Sequence, residues 1–107
     1  MTPLLCLSTC PDTDTAAKIV RALVEERLAA CVNRVPGVQS IYRWQGVIHE
    51  DAEVLLVIKT TRDQFDALCT RLVELHPYEV PELIALDIAD GLPAYLEWLA
   101  RETTQPP

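Results

Sequence analysis

The segment His76-Pro77-Tyr78-Glu79-Val80-Pro81-Glu82 gathers an imidazole and two carboxylates in one short stretch. An imidazole with an ordinary pKa near ~6.5 serves as ligand, base or pH sensor at neutral pH, and carboxylate oxygens beside it suit borderline cations. Pro77 and Pro81 stiffen the backbone, so bringing these groups together would cost little conformational entropy. Structural readings compete. His76 also stands where a helix ends, and a histidine there bonds free carbonyls and meets the helix dipole, while Glu79 and Glu82 could stand apart in a solvated loop. Cys31 is a soft metal donor if ionised, or an inert core thiol between Ala30 and Val32. His49 beside Glu50, Asp51 and Glu53 is a further metal candidate or a solvated charge cluster. Tyr42, Trp44, Lys59 and Tyr78 offer aromatic walls and one cation, the composition of a small-molecule cleft between subunits or of plain interface packing.

The elements that must position these residues follow from periodicity. Pro3 to Thr9 reads as a strand that stops at Cys10-Pro11-Asp12. From Thr13, with Asp12 or Thr13 as cap, Ala16, Ile19, Val20, Leu23, Val24 and Leu28 recur at helical spacing. Cys31 to Trp44 and Val47 to Thr60 alternate on either side of Gln45-Gly46, which predicts two long strands joined by a tight hairpin, with Pro36 at an edge or bulge. A second helix carries Phe65, Leu68, Cys69, Leu72, Val73 and Leu75 up to His76-Pro77. Leu83 to Ile88 is a fourth strand, Tyr95 to Leu99 lies on a terminal helix, and Thr103 to Pro107 is expected to fray. This order is that of a split βαβ unit, an α+β antiparallel sheet with helices on one face, in one domain over residues 1–107. The hairpin strands exceed the typical ~5–6 residues, so they should project beyond the core. With a free sheet face and free edges, they predict assembly into a closed ring of identical chains served by Trp44, Val47, Val54, Leu56 and Ile58.

Composition removes whole classes of function. Nine Lys+Arg against sixteen Asp+Glu leave a net charge of −7, which repels nucleic acid and anionic lipid and favours cations as partners. No apolar run approaches the ~20 residues of a membrane span, and the opening residues lack the build of a signal peptide, so the expectation is a cytoplasmic protein. The four cysteines at 6, 10, 31 and 69 do not form a C-x-x-C pair or a disulfide framework, and reduced thiols are expected. No G-x-S-x-G, Walker loop, H-E-x-x-H or G-x-G-x-x-G occurs, so the reading is non-enzymatic.

Glu26-Arg27-Leu28-Ala29-Ala30-Cys31-Val32-Asn33, Pro36-Gly37, Ser40, Tyr42, Trp44, Gly46, Lys59-Thr60-Thr61 and the 76–82 segment fall in the order and spacing of the CutA family, the divalent-cation tolerance proteins, and the chain resembles that family over nearly its entire length. The resemblance implies a ferredoxin-like fold, a homotrimer related in architecture to PII signalling proteins, and a role in tolerance of copper and other divalent metals. It also tilts His76, Glu79 and Glu82 toward a metal site, while Cys31 stays a metal candidate beside its reading as an inert core thiol. One departure stands out. Copper-binding members tend to carry a cysteine in the first strand and paired histidines before Pro-Tyr, whereas here Ser8 takes the cysteine position and Leu75 precedes His76. The alternative the resemblance raises is a PII-like module taking a small anion or nucleotide at the subunit cleft, with Lys59 as its cation.

Overall fold

Residues 1–105 are described by the computed structural model. Along β1 (Pro3–Cys10) the side chains alternate, and Leu4, Cys6, Ser8 and Cys10 are fully buried on one face. Helix α1 (Thr13–Glu25) starts where the Asp12 carboxylate accepts the Thr15 N–H at 2.7 Å, a bond that holds Asp12 below the usual carboxylate range. Its stripe Ala16, Ile19 and Leu23 meets the buried side of β1. After α1, Arg27 adopts a left-handed φ of 60°, and the N–H groups of Leu28 and Ala29 both reach the Leu23 carbonyl, at 2.9 and 3.1 Å.

Strands β2 (Cys31–Trp44) and β3 (Val47–Thr61) form the long hairpin, closed at Gln45-Gly46 with φ of 51° and 78°, the primed turn that matches strand twist. Pro36-Gly37 sits at a bulge between Val35 and Val38 on this edge strand, where a missing N–H does no harm. Helix α2 (Arg62–Leu75) buries Leu68 and Leu72. The strand before it is tied back to the α1–β2 connection by the Thr60 hydroxyl, which donates to the Leu28 carbonyl at 2.6 Å. β4 (Ile84–Asp87) is shorter than the alternation suggests, and α3 (Pro93–Glu102) opens on a proline suited to the first helical turn.

The sheet order is β2-β3-β1-β4 with every pair antiparallel, the ferredoxin-like arrangement expected from the split βαβ order. Val54, Leu56 and Ile58 of β3 join Leu4, Cys6 and the helical stripes in one core. Trp44 and Val47 part from them and stay exposed at the hairpin end, because the hairpin outruns the two helices and the molecule extends 45 Å along its longest axis. On the opposite sheet face Ile84 and Leu86 are exposed at 52% and 47%. None of the helices among the described residues is long and apolar enough to cross a membrane.

The expected fraying begins later than the composition suggests. Thr103 is buried and its hydroxyl donates to the Leu99 carbonyl, while the Gln105 amide donates to the carbonyls of Glu26 and Arg27. Pro106 and Pro107, the rest of that expectation, lie outside the described residues.

Two substitutions check this architecture by urea unfolding. Asp12→Ala should lower stability by about 1 kcal/mol through loss of the helix cap, and Leu56→Ala by about 2–5 kcal/mol through cavity formation. An unchanged midpoint for either variant would remove the role given to that residue.

Candidate functional site: an acidic aromatic cleft beside the hairpin

The 76–82 segment is held at both ends against β1 and in the middle against β3. His76 supplies the first tie. Its backbone N–H closes α2 on the Leu72 carbonyl, but its ring turns away from the helix. Nδ1 accepts the Tyr78 N–H at 3.1 Å, which requires the neutral ring with its proton on Nε2, and Nε2–H donates to the Thr9 carbonyl at 2.7 Å. His76 as a whole is 7% exposed. The second tie is Ser8, fully buried, whose hydroxyl donates to the Glu82 carbonyl at 2.7 Å. The third is Tyr78, whose hydroxyl donates to Glu53 Oε2 at 2.8 Å. Burial first, and then the Glu53 carboxylate, holds the Tyr78 phenol proton well above its ordinary range.

These ties shape a cleft of about 590 Å³ between the segment and the hairpin, walled by Tyr42, Trp44 and Tyr78 and carrying the carboxylates of Glu53, Glu79 and Glu82. Among the described residues its lining holds no Lys or Arg. The Tyr42 hydroxyl donates to Asp51, and the ring stacks on His49 with centroids 5.4 Å apart. The hydrogen bond to Asp51 is the main reason the Tyr42 proton is held more firmly than usual.

Tyr42, Trp44, Tyr78, Glu79 and Glu82 line this one cleft. Lys59 is not among them. It lies six residues along β3 from Glu53, about 20 Å at strand rise, and its ammonium donates to the Asn33 amide oxygen. Cys31 pairs with Lys59 in the ladder, whereas Thr9, the partner of His76, pairs with Leu55. That offset of four β3 residues, about 13 Å, keeps the thiol from joining His76. Neither ring nitrogen of His76 is free, and among the described residues no three His, Cys, Asp or Glu side chains gather as a metal cage.

The other thiols do not compensate. Burial pushes Cys6 and Cys10 up to about 11, so thiolate is scarce near neutrality, and Cys69 is shifted the same way. Glu53 is the residue that sequence reasoning misplaced, as one of a solvated cluster. It is 6% exposed and shares the β3 face of Leu55 and Val57, a parity visible in the alternation.

A ferredoxin-like sheet with an overlong hairpin and an acidic, aromatic cleft along it defines the class. The family model described as "CutA1 divalent ion tolerance protein" matches residues 4–102, and the chain belongs to that family. It is 57% identical over 97 residues to the divalent-cation tolerance protein CutA of Thermus thermophilus, covering 91% of this chain and 94% of that one. With Protein CutA of Mus musculus it shares 50% identity over 95 residues, 89% of this chain but 54% of the mouse protein, so it spans about half of that relative. Among solved structures, the divalent cation tolerance protein Cut A1 of Thermus thermophilus superposes with a TM-score of 0.93 at 54% identity, covering 95% and 99% of the two chains. CutA1 of Oryza sativa gives a TM-score of 0.95 at 40% identity, with 99% and 97% covered.

The Tyr78–Glu53 tie has a measurable weight. Tyr78→Phe strips a buried carboxylate of its one hydrogen-bond donor and should cost about 1.5–3 kcal/mol in urea unfolding. Adding Glu53→Leu to Tyr78→Phe should return most of that loss, because no charge is then stranded. A double variant as unstable as the single one would show that the bond is not what holds the cleft.

Proposed function

We propose that this chain acts in divalent-cation tolerance as a non-enzymatic homotrimer, taking cations, copper among them, at the acidic cleft. The observation that carries the reading is a cleft bearing Glu53, Glu79 and Glu82 with, among the described residues, no Lys or Arg in its lining. Family membership and the divalent-cation tolerance function named for the Thermus relative support it. Glu79 and Glu82, both at the rim, are the proposed carboxylate ligands, and His76 is assigned to holding their loop. One protomer supplies too few donors for a tight site, so a neighbouring subunit completes the set.

The trimer is argued from the exposed apolar sheet face, the free β2 edge and the overlong hairpin. Four free cysteines, two of them fully buried, suit the reducing cytoplasm, and cell fractionation that recovers the protein elsewhere would refute that location. The anion or nucleotide alternative finds no support in the cleft, where Lys59 is absent and the carboxylates would repel phosphate.

Isothermal titration with Cu(II) should show binding to the wild type that the Glu79→Gln/Glu82→Gln double variant weakens by at least about tenfold, while Cys31→Ser leaves it unchanged. Wild-type affinity in the double variant would sink the carboxylate assignment. Light scattering of dilute protein should report a trimer, and a stable folded monomer would end the argument from the open face and hairpin.

A further inference from the structure

The C-terminal segment closes on the end of α1. The Gln105 side-chain amide donates to the carbonyls of Glu26 and Arg27 at 3.1 and 3.2 Å, with Oε1 of Gln64 on α2 at 3.4 Å. Beside it the Glu102 carboxylate stands 3.5 Å from the Arg27 guanidinium. Glu26 and Arg27 are where α1 stops, in the turn with the left-handed φ of 60°, and the last turn of α1 carries no basic residue of its own. Carbonyls at a helix C-terminus have no donor within the helix and gather partial negative charge, so an amide brought from elsewhere in the chain caps them.

Helix α3 spans the distance between that clasp and the sheet, where it meets β1 and β3. Cys31, Lys59, Leu5 and Leu86 stand in register across the four strands, and they point away from α1 and α2 because the next residues, Leu4 and Ile58, belong to the core. α3 lies on that second face: burial, and then the neighbouring Cys31, hold the Tyr95 proton above its ordinary range, and Leu99 is fully buried yet outside the core under α1 and α2. The helix is ten residues long and begins at Leu92, whose side chain cannot cap it. A helix of that length is marginal in water by itself, so its docking decides whether it stays. At its far end the buried Thr103 and the exposed Thr104 donate to the carbonyls of Leu99 and Ala100, which carries the chain round to Gln105. The core under α1 and α2 is built without α3.

We propose that α3 is a lid on one end of the second sheet face and that Gln105 is its clasp: seated on the end of α1 it keeps the lid shut, and once it is undone α3 lifts as a unit while the core stays folded. Opening uncovers the face at Leu5 and Cys31, so cover of that end depends on an intact C-terminus. Every contact of the clasp lies within one chain, which makes the lid a property of the protomer with or without a neighbouring copy.

Amide hydrogen exchange on the full chain tests the lid. Gln105→Glu puts a carboxylate against two carbonyls in place of the donor, and should speed exchange at the α3 amides from Trp98 to Glu102, and at Leu28 and Ala29, by about fivefold. The β1 amides from Leu5 to Leu7, in a strand paired on both sides, should keep the wild-type rate. Gln105→Arg retains N–H donors and brings a cation to the helix end, so it should exchange as the wild type does. Gln105 is exposed, and neither variant disturbs the core. Unchanged α3 exchange in Gln105→Glu overturns the proposal by removing the clasp. Equal acceleration in β1 overturns it by showing that the whole chain opens together, and a Gln105→Arg variant as fast as Gln105→Glu overturns it by taking donation from Gln105 out of account.

Discussion

The cleft exists because one neutral imidazole is consumed by backbone. His76 spends both ring nitrogens on the Thr9 carbonyl and the Tyr78 N–H, and so fixes where the chain leaves α2 and how it crosses the end of β1. Ser8 fixes the far end through the Glu82 carbonyl. Between these anchors Tyr78 has little choice of direction, and its hydroxyl meets Glu53 on β3. A buried polar network of this kind is favourable only while each member is satisfied, and no buried side-chain donor or acceptor among the described residues lacks a partner. The geometry of the acidic wall is thus inherited from uncharged contacts behind it.

That arrangement recasts the departure at Ser8. A thiol there would be a poor donor to the Glu82 carbonyl, whereas a hydroxyl makes a short hydrogen bond and needs no ionisation. The position that the resemblance links to soft-metal chemistry is given over to loop anchoring, and His76 beside it is occupied in the same way. What remains available to a cation is oxygen, on Glu79 and Glu82 at the rim and Glu53 within. Oxygen donors favour harder cations than a cysteine-histidine pair does.

Local patterns were legible to the extent that they depend on neighbours in the chain. Asp12 as a cap, the stripe Ala16-Ile19-Leu23, the turn at Gln45-Gly46 and the bulge at Pro36-Gly37 each follow from residues a few positions apart, and each is found in place. The partners of the site are a different matter. His76 to Thr9 spans 67 positions, Ser8 to Glu82 spans 74 and Tyr78 to Glu53 spans 25, and no periodicity encodes which atoms meet over such separations. Lys59 stands apart from the cleft within one chain for a related reason: lying on the same sheet face as Glu53 does not put it within reach, since strand rise separates them. Glu53 itself was obscured by its acidic neighbours Glu50 and Asp51, although its alternation with Leu55 and Val57 carried the information.

The long hairpin links the two halves of this account. Its outer part lacks a helix behind it, so Trp44, Val47 and Ile48 find no core within their own chain. Tyr42 and Trp44 of that outer part, with Glu53 nearer the sheet, nevertheless line the cleft. A strand of ordinary length would end before Tyr42 and leave the 76–82 segment facing water alone, with its carboxylates too strongly hydrated to hold a cation at close range. Extending the hairpin therefore does two things at once: it lowers the local dielectric around Glu53 by placing aromatic surface over it, and it creates exposed apolar area that a neighbouring copy can cover. Cover from that neighbour would deepen the same low-dielectric wall, which couples the strength of any cation contact in the cleft to the completeness of the assembly.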